Sequence, residues 1–180
     1  FWSDNGNGVS VTTYTVRVST DSGNFNALYS VTATTTPAGA VPQYTFTGLQ
    51  SNTTYFFRVR ALNRNNIPSL TMLGSTSTLS SPPQSLAETF LGVFETSATA
   101  NWAAMPGSPQ ASTAEGYRLE ASSTNFGALL PGGALHSSAT ANVAASTLTL
   151  TGLELNTTYY FRVGALNWNS ALNFAALAST

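Results

Sequence analysis

The chain has 180 residues and a net charge of −1, and only 7% of its residues are charged, against roughly 25% in typical globular proteins. All six cationic residues are arginines (Arg17, Arg58, Arg60, Arg64, Arg118, Arg162), too scattered to form the basic stripe that nucleic acid requires. Apolar residues at 42% and aromatics at 11% exclude a disordered linker, and no apolar run approaches the ~20 residues of a membrane span, so no membrane insertion of this segment is expected.

The first element in chain order is Tyr14-Thr-Val-Arg-Val18, whose alternation of apolar and polar residues predicts a strand. Tyr44-Thr-Phe46 and Tyr55-Phe-Phe-Arg-Val59 predict two more. Ser81-Pro82-Pro83 is a stiff extended hinge of the kind found where domains join. Beyond it, Thr96 to Ala103 alternates small residues and ends near Trp102. Gly116 to Ser122 places Tyr117, Leu119 and Ala121 on one face. Ser146 to Thr151 does the same with Leu148 and Leu150, and Thr158 to Leu166 with Tyr159, Phe161, Val163 and Ala165. A last run from Leu172 to Ala178 completes the set. No segment long enough to be a helix has the 3.6 period. Short β-runs punctuated by Gly, Pro, Asn and Ser predict an all-β chain of antiparallel sandwiches.

One sentence of the sequence is written twice. Leu49-Gln-Ser-Asn-Thr-Thr-Tyr-Phe-Phe-Arg-Val-Arg-Ala-Leu-Asn63 returns as Leu153-Glu-Leu-Asn-Thr-Thr-Tyr-Tyr-Phe-Arg-Val-Gly-Ala-Leu-Asn167. A period of about 100 residues implies one structural unit used twice, with domains expected at 1–80 and 81–180. Trp102 ending one strand, Tyr117 beginning the next, and Leu153 placed six residues before Tyr159 resemble the fibronectin type III domain. The resemblance implies two tandem immunoglobulin-like sandwiches. It also implies a tyrosine corner in which the Tyr159 ring packs inward while its hydroxyl caps an upstream backbone group. Leu49 and Tyr55 repeat that spacing, and Trp2 stands where Trp102 stands. The proline usual after the corner leucine is replaced by Ser51 and Leu155, which loosens the turn without threatening the fold. By the same alignment the first domain lacks its first strand and most of its second. The expectation is that these lie in a longer parent chain, with a strand donated by a neighbouring molecule as the alternative.

Chemistry is harder to find. His136, expected in a loop, is the only histidine and cysteine is absent, too few ligands for a zinc or copper site. The acids are scattered, and Glu115 and Glu120 flank a strand without facing each other across a cleft as glycoside hydrolysis demands. No catalytic residue, metal or cofactor is expected. Asp4-Asn-Gly-Asn-Gly8 lacks the carboxylates of a calcium loop and reads as a turn. Asn52-Thr-Thr54 and Asn156-Thr-Thr158 match the N-glycosylation pattern but fall where Asn and Thr favour a tight turn. Trp168 occupies the loop position that Arg64 holds in the first repeat. It is expected to pack at the domain junction, with stacking on a sugar ring as the alternative.

The favoured function is therefore non-catalytic. A structural or adhesive segment of a larger secreted or cell-surface protein, of bacterial type, is expected to assemble with itself or with other surface proteins. Low charge favours such self-association because little repulsion opposes it. The alternative is a spacer or glycan-binding appendage of a secreted polysaccharide-degrading enzyme. A receptor-like module with a protein ligand is the third reading.

Overall fold

A computed structural model describes residues 1, 13–25, 29–34, 43–63, 65–128 and 133–180. The chain divides into two compact units, Phe1–Leu49 with Thr54–Ser77, and Gln50–Thr53 with Thr78–Thr180. Among the described residues every regular element longer than one turn is a β-strand. Among the described residues no helix is long and apolar enough to cross a membrane.

The first unit contains β1 (Thr13–Ser19), β2 (Tyr29–Thr34), β3 (Thr54–Leu62) and β4 (Pro68–Ser77). They form one antiparallel sheet in the order β2-β1-β3-β4. Alternation along β1 buries Tyr14, Val16 and Val18, and along β3 it buries Tyr55 and Val59, so one face of the sheet is apolar. Phe46 and Ala61 pack against the Tyr14, Val16 and Val59 cluster. The expected strand at Tyr44–Phe46 is not formed; the segment is irregular and Tyr44 is exposed. A strand exists only where a neighbour takes up its backbone hydrogen bonds. In the second unit the equivalent strand pairs with the one ending near Trp102, whereas the stretch around Trp2, which would play that part here, lies outside the described residues.

The second unit contains β5 (Gln84–Val93), β6 (Ser97–Ala103), β7 (Tyr117–Ser122), β8 (Leu135–Thr140), β9 (Thr147–Thr151), β10 (Tyr160–Leu166) and β11 (Leu172–Ser179). A three-stranded sheet, β5-β6-β9, faces a four-stranded sheet, β11-β10-β7-β8. Ala98, Ala100 and Trp102 of β6 and Leu150 of β9 share one buried cluster with Tyr117, Leu119, Phe161 and Val163 of β7 and β10. This is the two-layer arrangement that a pair of half-apolar sheets requires. Trp102 fills its centre, its ring 5.3 Å from that of Tyr117. The Tyr117 hydroxyl donates to the Val143 carbonyl at 3.0 Å and accepts the Met105 N–H at 2.8 Å. Burial pushes this phenol above its ordinary range, because a phenolate here would be desolvated, and the Met105 N–H partly offsets the push.

Turn chemistry repeats between the two copies of the duplicated sequence, residue by residue. Gly48 and Gly152 both have φ near +70° (72° and 74°), and Asn52 and Asn156 both lie in the left-handed region (44° and 53°). These are positions where Gly is free of Cβ strain and Asn is tolerated. The duplicated sentence of sequence therefore encodes a duplicated corner.

Candidate functional site

The corner itself is structural. In the second unit the Glu154 backbone N–H donates to the Tyr159 hydroxyl at 3.2 Å, while the Tyr159 ring and Leu153 are buried in the core. In the first unit Tyr55 is buried and Leu49 is half-buried. Leu49, Val16, Phe46, Phe57 and Leu73 line an open cleft of about 460 Å³. Trp2, the expected counterpart of Trp102, lies outside the described residues, as does the Asp4–Gly8 turn.

Trp168 is presented on a loop closed by Asn167. The Asn167 side-chain oxygen accepts the backbone N–H groups of Asn169 at 3.0 Å and Ala171 at 2.8 Å. Asn63 does the same for Asn65 and Ile67, both at 2.9 Å. One asparagine thus closes the same turn in both units by bonding its own downstream backbone. The turn in the second unit leaves Trp168 56% exposed. Its counterpart Arg64 lies outside the described residues.

A second feature was not foreseen from the sequence. On the solvent side of the four-stranded sheet, Glu120 of β7 stands directly opposite Arg162 of β10. The Glu120 carboxylate is 5% exposed and accepts Arg162 Nη2 at 2.7 Å and Arg118 Nε at 2.9 Å. The Arg162 guanidinium lies between the Phe126 and Phe174 rings, 4.0 and 3.9 Å from their centroids. Aromatic faces on both sides hold the fork flat, and the carboxylate takes its edge. Glu120 thus lies within β7 rather than beside it and is the anion that Arg118 and Arg162 share. Glu115 is engaged separately, accepting the side-chain N–H groups of Asn52 at 3.1 Å and Gln110 at 3.0 Å.

His136 was expected in a loop; it lies on β8, its ring edge-on to Tyr159 at 5.7 Å. The β7–β8 pairing puts it opposite Ala121, which draws it onto the sheet despite the weak strand pattern of its neighbours. Among the described residues no three of His, Asp and Glu stand close enough together to hold a metal ion. The two asparagines of the glycosylation pattern differ: Asn52 is fully buried, while Asn156 is exposed.

β4, the edge strand of the first sheet, presents an exposed apolar surface. Nine of its ten residues are exposed, Leu70, Met72 and Leu73 among them, and Ile67 immediately precedes it. The equivalent edge strand of the second unit, β11, instead turns Ala175 and Leu177 onto the core.

Residues 2–71 match the model of the fibronectin type III domain. No curated protein matches the chain. Among solved structures the chain is similar to the chicken CNTN1 FN1-FN3 domains, at 14% identity and a TM-score of 0.43 over 96% of this chain. It spans 53% of that chain, about half its length. It is also similar to a two fibronectin type III domain segment from chicken tenascin, at 15% identity and a TM-score of 0.45, covering 96% of this chain and 86% of that one. The family match falls on the first repeat, and the second repeat carries the same corner and the same asparagine-closed turn.

Proposed function

We propose that this chain is a non-catalytic structural or adhesive segment of a larger secreted or cell-surface protein, and that it assembles with copies of itself through β4. The domain type matched by residues 2–71 commonly serves as a structural or adhesive module. The observation that carries the reading is the edge itself. An edge strand offers a row of unpaired backbone groups, and proteins that stay apart usually blunt it with charge, proline or a covering element. The body of β4 carries no charged residue, and its proline, Pro68, sits only at its start. A 7% charge content supplies little long-range repulsion to oppose edge-to-edge pairing.

Sedimentation velocity of the whole chain over a concentration series tests this reading. Growth with concentration, abolished by Leu70→Lys with Met72→Lys, is the expected result; a monomer at every concentration would refute it.

Trp168 supports a second reading. An exposed indole on an asparagine-closed turn is a ready platform for a sugar ring, which suits a glycan-binding appendage of a secreted polysaccharide-degrading enzyme. Glycan-array binding that disappears in Trp168→Ala is the outcome this reading requires.

A further inference from the structure

The two units differ at one position in a way that leaves a charge uncompensated. In the second unit Glu120 faces Arg162 across β7 and β10. In the first unit the equivalent strands are β1 and β3, and the residue facing Arg58 is Arg17. Arg60, two residues further along β3, points to the same side as Arg58. Residues directly opposite on antiparallel strands share a face, so Arg17, Arg58 and Arg60 lie together on one surface. Leu70 and Met72 of β4 flank them, in register with Arg60 and Arg58.

The three side chains are half-buried. The Nε groups of Arg17 and Arg60 are shielded from water and have no hydrogen-bond partner. Phe25, itself buried, lies 4.3 Å under the Arg58 guanidinium, the counterpart of the aromatic bracket around Arg162. Among the described residues the ion pairs are those of Glu120, in the second unit. The first unit's described carboxylate is Asp21, which accepts the Gly23 N–H at 2.8 Å; Asp4 lies outside the described residues. Like charges directly opposite each other repel, and a buried donor without an acceptor costs free energy. An anion from outside that bonds these guanidinium groups offsets the repulsion.

We propose that Arg17, Arg58 and Arg60 form a receiving site for the carboxylate of a glutamate or aspartate side chain on an acidic peptide segment of a partner. The second unit identifies the chemistry, because there the same position is filled by a glutamate that two arginine forks hold. A carboxylate suits the planar fork in a way a spherical anion does not. The apolar flank of Leu70 and Met72 gives the partner's backbone a surface to lie on.

The test is a titration of the full chain, followed by ¹⁵N NMR of the arginine Nε–H groups. The probe is a blocked peptide of alternating glycine and glutamate, with a glycine–glutamine peptide, sodium sulfate and digalacturonate as comparisons. The expected result is saturable movement of the Arg17, Arg58 and Arg60 signals with the glutamate peptide and none with the glutamine peptide. Arg17→Glu, which rebuilds the second unit's pair, is expected to weaken binding by at least about tenfold and to raise the melting temperature. Arg60→Gln, retaining the Arg17 and Arg58 pair, is expected to weaken binding without raising it. No movement with the glutamate peptide, or equal affinity in wild type and Arg17→Glu, would overturn the site. Movement with sulfate or digalacturonate but not with the peptide would overturn the assignment to an acidic peptide.

Discussion

The Tyr159 hydroxyl accepts a 3.2 Å hydrogen bond from the backbone N–H of Glu154, five residues upstream. This bond closes the turn into β10 while the tyrosine ring stays in the core between the two sheets. Tyr159→Phe keeps the ring and deletes only the acceptor. The expected cost is about 1 kcal/mol, read as a shift in the urea midpoint of the whole chain. An unchanged midpoint would remove the corner from the list of features that hold this unit together.

Glu120→Gln tests the outer face of the same sheet. It keeps the shape of the side chain and neutralises the anion that Arg118 and Arg162 share. A charged hydrogen bond is worth more than a neutral one, but both arginines are partly exposed, so solvent screens the pair. The expected destabilisation is about 1–2 kcal/mol, measured by urea denaturation, and it should shrink as salt is raised.

Tyr117 sets a limit at alkaline pH. Its phenol is raised above the ordinary range by burial, so the folded chain resists its ionisation. Below about pH 10 the phenol is neutral in both states and its contribution is complete. As pH rises past that point the unfolded chain ionises first, and stability falls until the folded phenol ionises too. The difference in unfolding free energy between wild type and Tyr117→Phe should therefore be flat up to about pH 9 and change above about pH 10. A difference that stays constant to higher pH would contradict the raised phenol.

The duplicated glycosylation pattern gives an asymmetric outcome. Asn156 is exposed and Asn52 is fully buried. In a host with the glycosylation machinery, the folded chain should carry a glycan at Asn156 and none at Asn52, as peptide mass spectrometry would read it. Occupancy at Asn52 would mean that its burial is not maintained when the glycan is attached.

Much of the fold could be read from residues. The alternation at Tyr14–Val18, Tyr55–Val59, Gly116–Ser122 and Thr158–Leu166 marked strands that lie wholly or largely within β1, β3, β7 and β10, because each buries one face against a core. The edge strands were less legible. Leu135–Thr140, with His136 and two serines, has no apolar face to betray it, and β4 is exposed along nearly its whole length. Such strands form because a neighbour offers hydrogen bonds, which their own composition does not record. Tyr44–Phe46 failed in the opposite sense. Its alternation is correct, but no described strand lies beside it. The Glu120–Arg162 pair and its arginine counterpart at Arg17 stayed hidden for a different reason. Opposite partners depend on register, and register is set by the turns and by the hydrophobic match of whole strands. That Trp168 lies in a turn was legible, since its position beside a turn-closing asparagine is local information.

Electron microscopy of the undenatured chain at modest concentration is the most direct test of the central claim, that this chain functions by self-assembly through β4. The account predicts ordered fibres or sheets for the wild type and dispersed particles for Leu70→Lys with Met72→Lys. Dispersed particles in the wild type, or ordered assemblies that survive the double substitution, would contradict it.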